Sequence, residues 1–214
     1  MKRQSAILVI LAILFCCSTS RANITNVNYA SDGDGVFACT PWSIDANTTD
    51  LTLPLIYGDY GLNSPPVGTP GHLILNVLTD SADDPNLTVA NSIENDSTFA
   101  WTKFTVNLTM AVPFTLANVG VTAPGDWGVV SFDATANPVG PNYVATIVYD
   151  TGAPIANDGI STIDFGYKVH FTGSPSYVLT QEMIPVPEPG TLGLVGVGML
   201  LFVQLARRRG ASRG

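Results

Sequence analysis

Basic residues are nearly missing from the middle of this chain. Sixteen of the seventeen Asp and Glu lie between Asn23 and Met183, where Lys103 and Lys168 are the only bases. A surface of that sign repels phosphate backbones, which excludes nucleic acid as a partner. It suits solubility outside a cell, and it attracts divalent cations weakly. Histidine is limited to His72 and His170, far apart in sequence and in no nucleophile or metal motif. Asp is plentiful enough for a chance carboxylate pair of the glycosidase kind, but no local signature singles one out. With no recognisable catalytic motif, the chain reads as non-enzymatic. Persuasive amphipathic helical periodicity is also missing between Asn23 and Met183, which excludes a helical bundle.

Cysteine is scarce, and its placement sets the compartment. Lys2 and Arg3 precede an apolar stretch from Ala6 to Cys17, and Ser20-Arg21-Ala22 has the small-x-small form of a cleavage site. That layout predicts a secretory signal peptide over residues 1–22, cut after Ala22. Its apolar run is shorter than the roughly 20 residues that span a bilayer. Cleavage removes Cys16 and Cys17 and leaves Cys39 alone, so no intramolecular disulfide is available. Cys39 then reads as a small buried apolar residue.

Alternation dominates residues 23–183. Phe104, Val106, Leu108, Met110 and Val112 fall on one face of a predicted strand, with Lys103, Thr105, Asn107 and Thr109 on the other. Ile163, Phe165, Tyr167, Val169 and Phe171 repeat the pattern, and Leu73, Leu75 and Val77 do so briefly. Shorter strands are predicted over Ile24–Tyr29, Val36–Thr40, Leu51–Tyr57, Trp127–Asp133, Asn142–Tyr149 and Tyr177–Met183. Gly, Pro, Asn and Asp clusters between them supply turn chemistry. About nine or ten short strands in one acidic stretch predict an all-β, jelly-roll-like single β-sandwich over 23–183.

The C-terminal stretch is organised differently. Pro185, Pro187 and Pro189 alternate over residues 184–189, which reads as an extended, solvated linker unable to continue a strand. Residues 190–206 carry no charge and predict one transmembrane helix, slightly short for the hydrocarbon core. Arg207, Arg208 and Arg209 act as a basic stop, leaving 207–214 as a cytoplasmic tail.

Val186-Pro187-Glu188-Pro189, followed by a Gly-containing apolar helix and three terminal arginines, resembles the PEP-CTERM sorting signal. Pro187, Glu188 and Pro189 match its motif one for one. The resemblance covers roughly the last 25 residues and implies export in a Gram-negative bacterium. It implies an exosortase as partner, a membrane-embedded enzyme that cuts near the motif and removes the tail. The expected route is an inner-membrane intermediate, then the outer surface or extracellular matrix, with a role in exopolysaccharide and biofilm.

Within the domain, Asp32-Gly33-Asp34-Gly35 offers closely spaced carboxylates, so Asp32 and Asp34 are candidate calcium ligands. The EF-hand pattern fails, because the twelfth position from Asp32 is Ser43 rather than Glu. A tight turn before the strand at Val36 is the plainer account. Asp80, Asp83 and Asp84 form a second acidic loop open to both readings. Trp42, Trp101 and Trp127 are candidates for stacking on sugar rings or for the core. The expected protein is a structural or adhesive one in exopolysaccharide. The alternatives are a secreted carbohydrate-active enzyme or carbohydrate-binding module, or an uncut single-pass surface protein.

Overall fold

The computed structural model describes residues 22–61, 63–80, 84–150, 152–171 and 175–188, and these form a two-sheet β-sandwich. In chain order the strands are β1 (Ile24–Ser31), β2 (Phe37–Cys39), β3 (Trp42–Thr48), β4 (Asp50–Thr52) and β5 (Ile56–Tyr60). They continue with β6 (Gly71–Thr79), β7 (Asn86–Asn95), β8 (Trp101–Met110), β9 (Phe114–Ala123) and β10 (Gly128–Phe132). The last are β11 (Asn137–Val139), β12 (Asn142–Asp150), β13 (Thr162–Phe171) and β14 (Ser176–Pro187). The larger sheet has the order β10-β12-β8-β14-β6-β1-β3, with β11 also on β12. The smaller has the order β2-β5-β7-β13-β9, with β4 also on β7. The β4 and β5 pairings to β7 are parallel, and the other pairings are antiparallel.

The alternating apolar residues put one face of each long strand into the space between the sheets. Phe104, Val106, Leu108 and Met110 of β8 are buried, as are Ile163, Phe165, Tyr167, Val169 and Phe171 of β13. Aromatic rings cross from sheet to sheet: Tyr60 meets Trp101 edge-on at 5.6 Å, and Phe165 lies 5.5 Å from Phe104 and 5.2 Å from Tyr149. Such contacts add to the burial of large apolar area that holds two sheets together.

Four strands have no counterpart in the sequence-based expectation: β3, β7, β9 and β11. In β7 the reason is chemical. Asn91 and Asn95 are buried on its core-facing side and Ser92 is buried on the other, so the core-facing side is not purely apolar and the alternation is masked. The expected solvated linker is also corrected, because β14 runs on through Pro185 to Pro187. It pairs with β6 only as far as Met183, opposite Gly71, and with β8 as far as Pro187, opposite Trp101. Prolines two residues apart leave both missing N–H groups on the same side of a strand. Past Met183 β14 has β8 as its single neighbour, so the ladder can continue through Ile184 and Val186 while the buried prolines place their missing N–H groups on the side with no neighbouring strand.

A polar pin crosses the core. Gln181 of β14 is fully buried, accepts a 2.6 Å hydrogen bond from the Tyr167 hydroxyl, and exchanges amide bonds of 3.3 and 3.4 Å with Asn91. It therefore ties the larger sheet to β7 and β13 of the smaller one. Nearby, the Tyr149 hydroxyl is buried with no hydrogen-bond partner among the described residues. Burial pushes both tyrosine hydroxyls far above their ordinary range. A buried group that loses its partner costs about 1–3 kcal/mol, whereas deleting an unpaired one costs nothing in hydrogen bonding. Tyr167→Phe is therefore expected to lower stability by about 1–2 kcal/mol and Tyr149→Phe to leave it unchanged or raise it. Urea denaturation of the two variants checks this, and a larger loss at Tyr149 contradicts it.

Candidate functional site

The C-terminal end of β14 leads directly into the predicted sorting residues. Pro187 is buried at the end of the strand, and Glu188, half-buried, is the last described residue. The Thr102 hydroxyl of β8 donates to the Val186 and Pro187 carbonyls at 3.4 and 3.2 Å. Pro189, Arg207, Arg208 and Arg209 lie outside the described residues, as do the predicted transmembrane helix and tail. Among the described residues no helix is long and apolar enough to cross a membrane. Ala22 opens the described chain and is buried, while the rest of the predicted signal peptide lies outside it.

Asp32 and Asp34 meet a partner that the sequence analysis passed over. Pairing of β1 with β6 brings His72 beside them, and one ligand atom from each of the three falls within 4.8 Å of the others. His72 Nδ1 lies 2.8 Å from Asp32 Oδ2, and its Nε2 lies 3.9 Å from Glu182 Oε1. Glu182 is steadied by Asn107, which donates to its Oε2 at 2.7 Å and accepts from the Thr146 hydroxyl at 3.0 Å. His72, Glu182, Asn107 and Thr146 are register partners on adjacent strands, so a polar row crosses the outer face of the larger sheet. An imidazole nitrogen in the set suits a borderline first-row cation better than calcium. The carboxylates are nonetheless engaged locally: Asp32 accepts from the Asp34 N–H at 3.2 Å and Asp34 from the Val36 N–H at 2.8 Å. This is the tight turn. Burial alone would raise the Asp32 carboxyl, but hydrogen bonds from Asp34 and His72 outweigh it and hold the group below its usual range.

The second acidic loop is occupied too. The Asp80 carboxylate accepts from the Asn23 backbone N–H at 2.7 Å, and Asp84 lies 3.8 Å from His170 Nε2. Asp83 lies outside the described residues. The tryptophans are packed: Trp101 is fully buried and bonded to Ser97, Trp127 is buried and donates to the Ala153 carbonyl, and half-buried Trp42 stacks on Tyr29 at 5.7 Å. Cys39 is half-buried, and burial pushes its thiol up, away from the reactive thiolate.

Acids also crowd near the C-terminal ends of β5 and β7. Asp59 of β5 sits directly opposite Glu94 of β7, a like-charge pair that opposes strand pairing. Desolvation, then the charges of Asp96, Asp59 and Asp158, raise the Glu94 carboxyl above its ordinary value, while N–H groups of Ser161 and Ile160 hold Asp158 down. A carboxyl raised in the folded state costs stability when ionised. That cost is fully present above the folded value and fades as pH falls towards 4.5, the unfolded one. Glu94→Gln is thus expected to stabilise the fold at pH 7 by less than about 1 kcal/mol, and so to raise the Tm, at this half-buried and solvent-screened site. The gain should shrink in acid. Thermal melts at several pH values check this, and a gain that grows towards pH 4.5 contradicts it.

Parts of the chain are similar to several solved proteins. An endoglucanase, CelQ of Clostridium thermocellum complexed with cellotetraose, aligns at 11% identity and TM-score 0.26, over 49% of this chain and 17% of that one. A carbohydrate-binding module of the β-sandwich superfamily aligns at 10% identity and TM-score 0.27, over 77% of this chain and 56% of that one. A Cry1Da tryptic core variant of Bacillus thuringiensis aligns at 13% identity and TM-score 0.24, over 70% and 27%. The chain thus spans less than two thirds of each, and none of these likenesses bears on what it binds or does. No curated protein matches the sequence. Residues 185–209 match the family model of the PEP-CTERM protein-sorting motif, which makes this chain an exported protein carrying that sorting signal, with the first matched residues inside β14.

Proposed function

We propose that the chain is an exported, non-catalytic β-sandwich protein that an exosortase separates from its C-terminal tail, and that then serves as a structural or adhesive component among exopolysaccharide. The observation that carries this reading is the sorting motif at residues 185–209. On this account residues 190–206 hold the chain in the inner membrane of a Gram-negative cell and Arg207–Arg209 mark the cytoplasmic side. Cleavage then delivers the sandwich to the outer surface or matrix.

Other features support parts of this reading. Export cleavage after Ala22 turns the Asn23 N–H, already bound to Asp80, into an ammonium facing a carboxylate 2.7 Å away. The outer face of the larger sheet carries amides and hydroxyls, among them Asn26, Asn28, Asn76, Asn107 and Thr146, linked by hydrogen bonds. Such a face can exchange hydrogen bonds with a hydroxyl-rich polymer.

Intact mass spectrometry of the cell-associated protein tests the reading. The expected mass lacks residues 1–22 and the terminal arginines, and retention of Arg207–Arg209 contradicts processing. The purified domain should bind its producer's polysaccharide, and deletion should weaken the biofilm. Failure of both removes the adhesive role. In the mature protein, Asp80→Asn should lower the Tm more at pH 6 than at pH 9, because only the ammonium form makes the pair, the amine titrating near about 8. An equal loss at both pH values contradicts cleavage after Ala22.

A further inference from the structure

The sorting motif and the folded domain share residues. The family match begins at Pro185, yet Pro185, Val186 and Pro187 are rungs of the β14–β8 ladder, opposite Phe104, Lys103 and Trp101. No spacer separates the sheet from Glu188. Pro187 is buried, and the Thr102 hydroxyl holds the carbonyls of both Val186 and Pro187. An enzyme that cuts a chain needs several residues in extended form with their backbone groups free to bind it. Here one side of that backbone is already committed to β8.

We infer that the first residues of the sorting signal, Pro185, Val186 and Pro187, act as a latch in the sandwich, and that opening of the last β14–β8 rungs gates its processing. The latch is weak by construction. Past Met183 the strand has one neighbour instead of two, and Pro185 and Pro187 contribute no N–H to any partner. The ladder upstream is different: from Ser176 to Met183 β14 is paired with β6, and from Thr180 it is paired on both sides. The rungs at Ile184–Pro187 can therefore open without loss of the core-spanning Gln181 pin. A terminal segment held by few bonds frays at far lower cost than the whole fold. The enzyme then receives a folded domain whose motif is released for a small fraction of the time.

This inference rests on the reading that an exosortase acts at residues 185–209, and the test separates the two. Tail removal from the full chain is followed over time, by intact mass, in a host that carries the processing enzyme. In one variant a six-residue Gly-Ser spacer between Met183 and Ile184 moves the complete motif off the sheet. In the second, Thr102→Val deletes the hydroxyl latch with little change of shape. The spacer is expected to speed tail removal roughly three- to tenfold and Thr102→Val by about twofold, the scale of one or two net hydrogen bonds. Equal rates for all three chains, or slower removal from the spacer variant, overturn the latch while the processing reading stands. No tail removal from any chain overturns the processing reading and the latch with it. Removal from the variants but not from wild type supports both.

Discussion

The seating of β14 between β6 and β8 is the constraint on which the rest of the structure depends. This strand closes the larger sheet at its centre, carries the polar pin to the smaller sheet through Gln181, and ends in the sorting residues. Remove it and the larger sheet falls into two parts, with β10, β11, β12 and β8 on one side and β6, β1 and β3 on the other. The residues of β14 must therefore reach the sheet before the domain is complete. Pairing of β14 with β6 is long-range in sequence, which makes it a late and entropically costly step.

Charge and packing divide the labour across the molecule. Apolar and aromatic side chains between the sheets supply the stabilisation, and the acids lie in turns, as at Asp34 and Asp158, or at outward-facing strand positions, as at Asp45 and Glu182. Asp158 and Asp34 accept backbone hydrogen bonds in tight turns, while Asp59 and Glu94 face each other without such relief among the described residues. One pair is thus tolerated at a cost rather than used for stability. The outer face of the larger sheet sets its charges, the Asp32–His72–Glu182 row and Asp45 beside Asn26, among amides and hydroxyls that can exchange hydrogen bonds with a neutral, hydroxyl-rich polymer.

Much of the fold was legible because period-two alternation is a physical consequence of a half-buried strand. Strands β6, β8, β12 and β13 announce themselves in this way. Strand β7 does not, because buried Asn91 and Asn95 satisfy their amides across the core and look like loop residues in sequence. The proximity of His72 to Asp32 was illegible for another reason. It is set by β1–β6 register over 40 residues of separation, and nothing local records it. The proline run misled in the opposite direction. Prolines exclude a strand only where both sides need donors, and Pro185 and Pro187 sit where one side has no neighbour. The sorting signal itself is a local string, and so it could be read in full.

The central claim is that the first residues of that signal are part of the folded sheet, and amide hydrogen exchange at Ile184 and Val186 in the folded full-length protein tests it most directly. If β14 continues as described, both amides exchange far more slowly than in a free peptide, though faster than Val106 at the centre of β8. Exchange at the free-peptide rate at both positions would place the signal on a solvated linker and contradict the account.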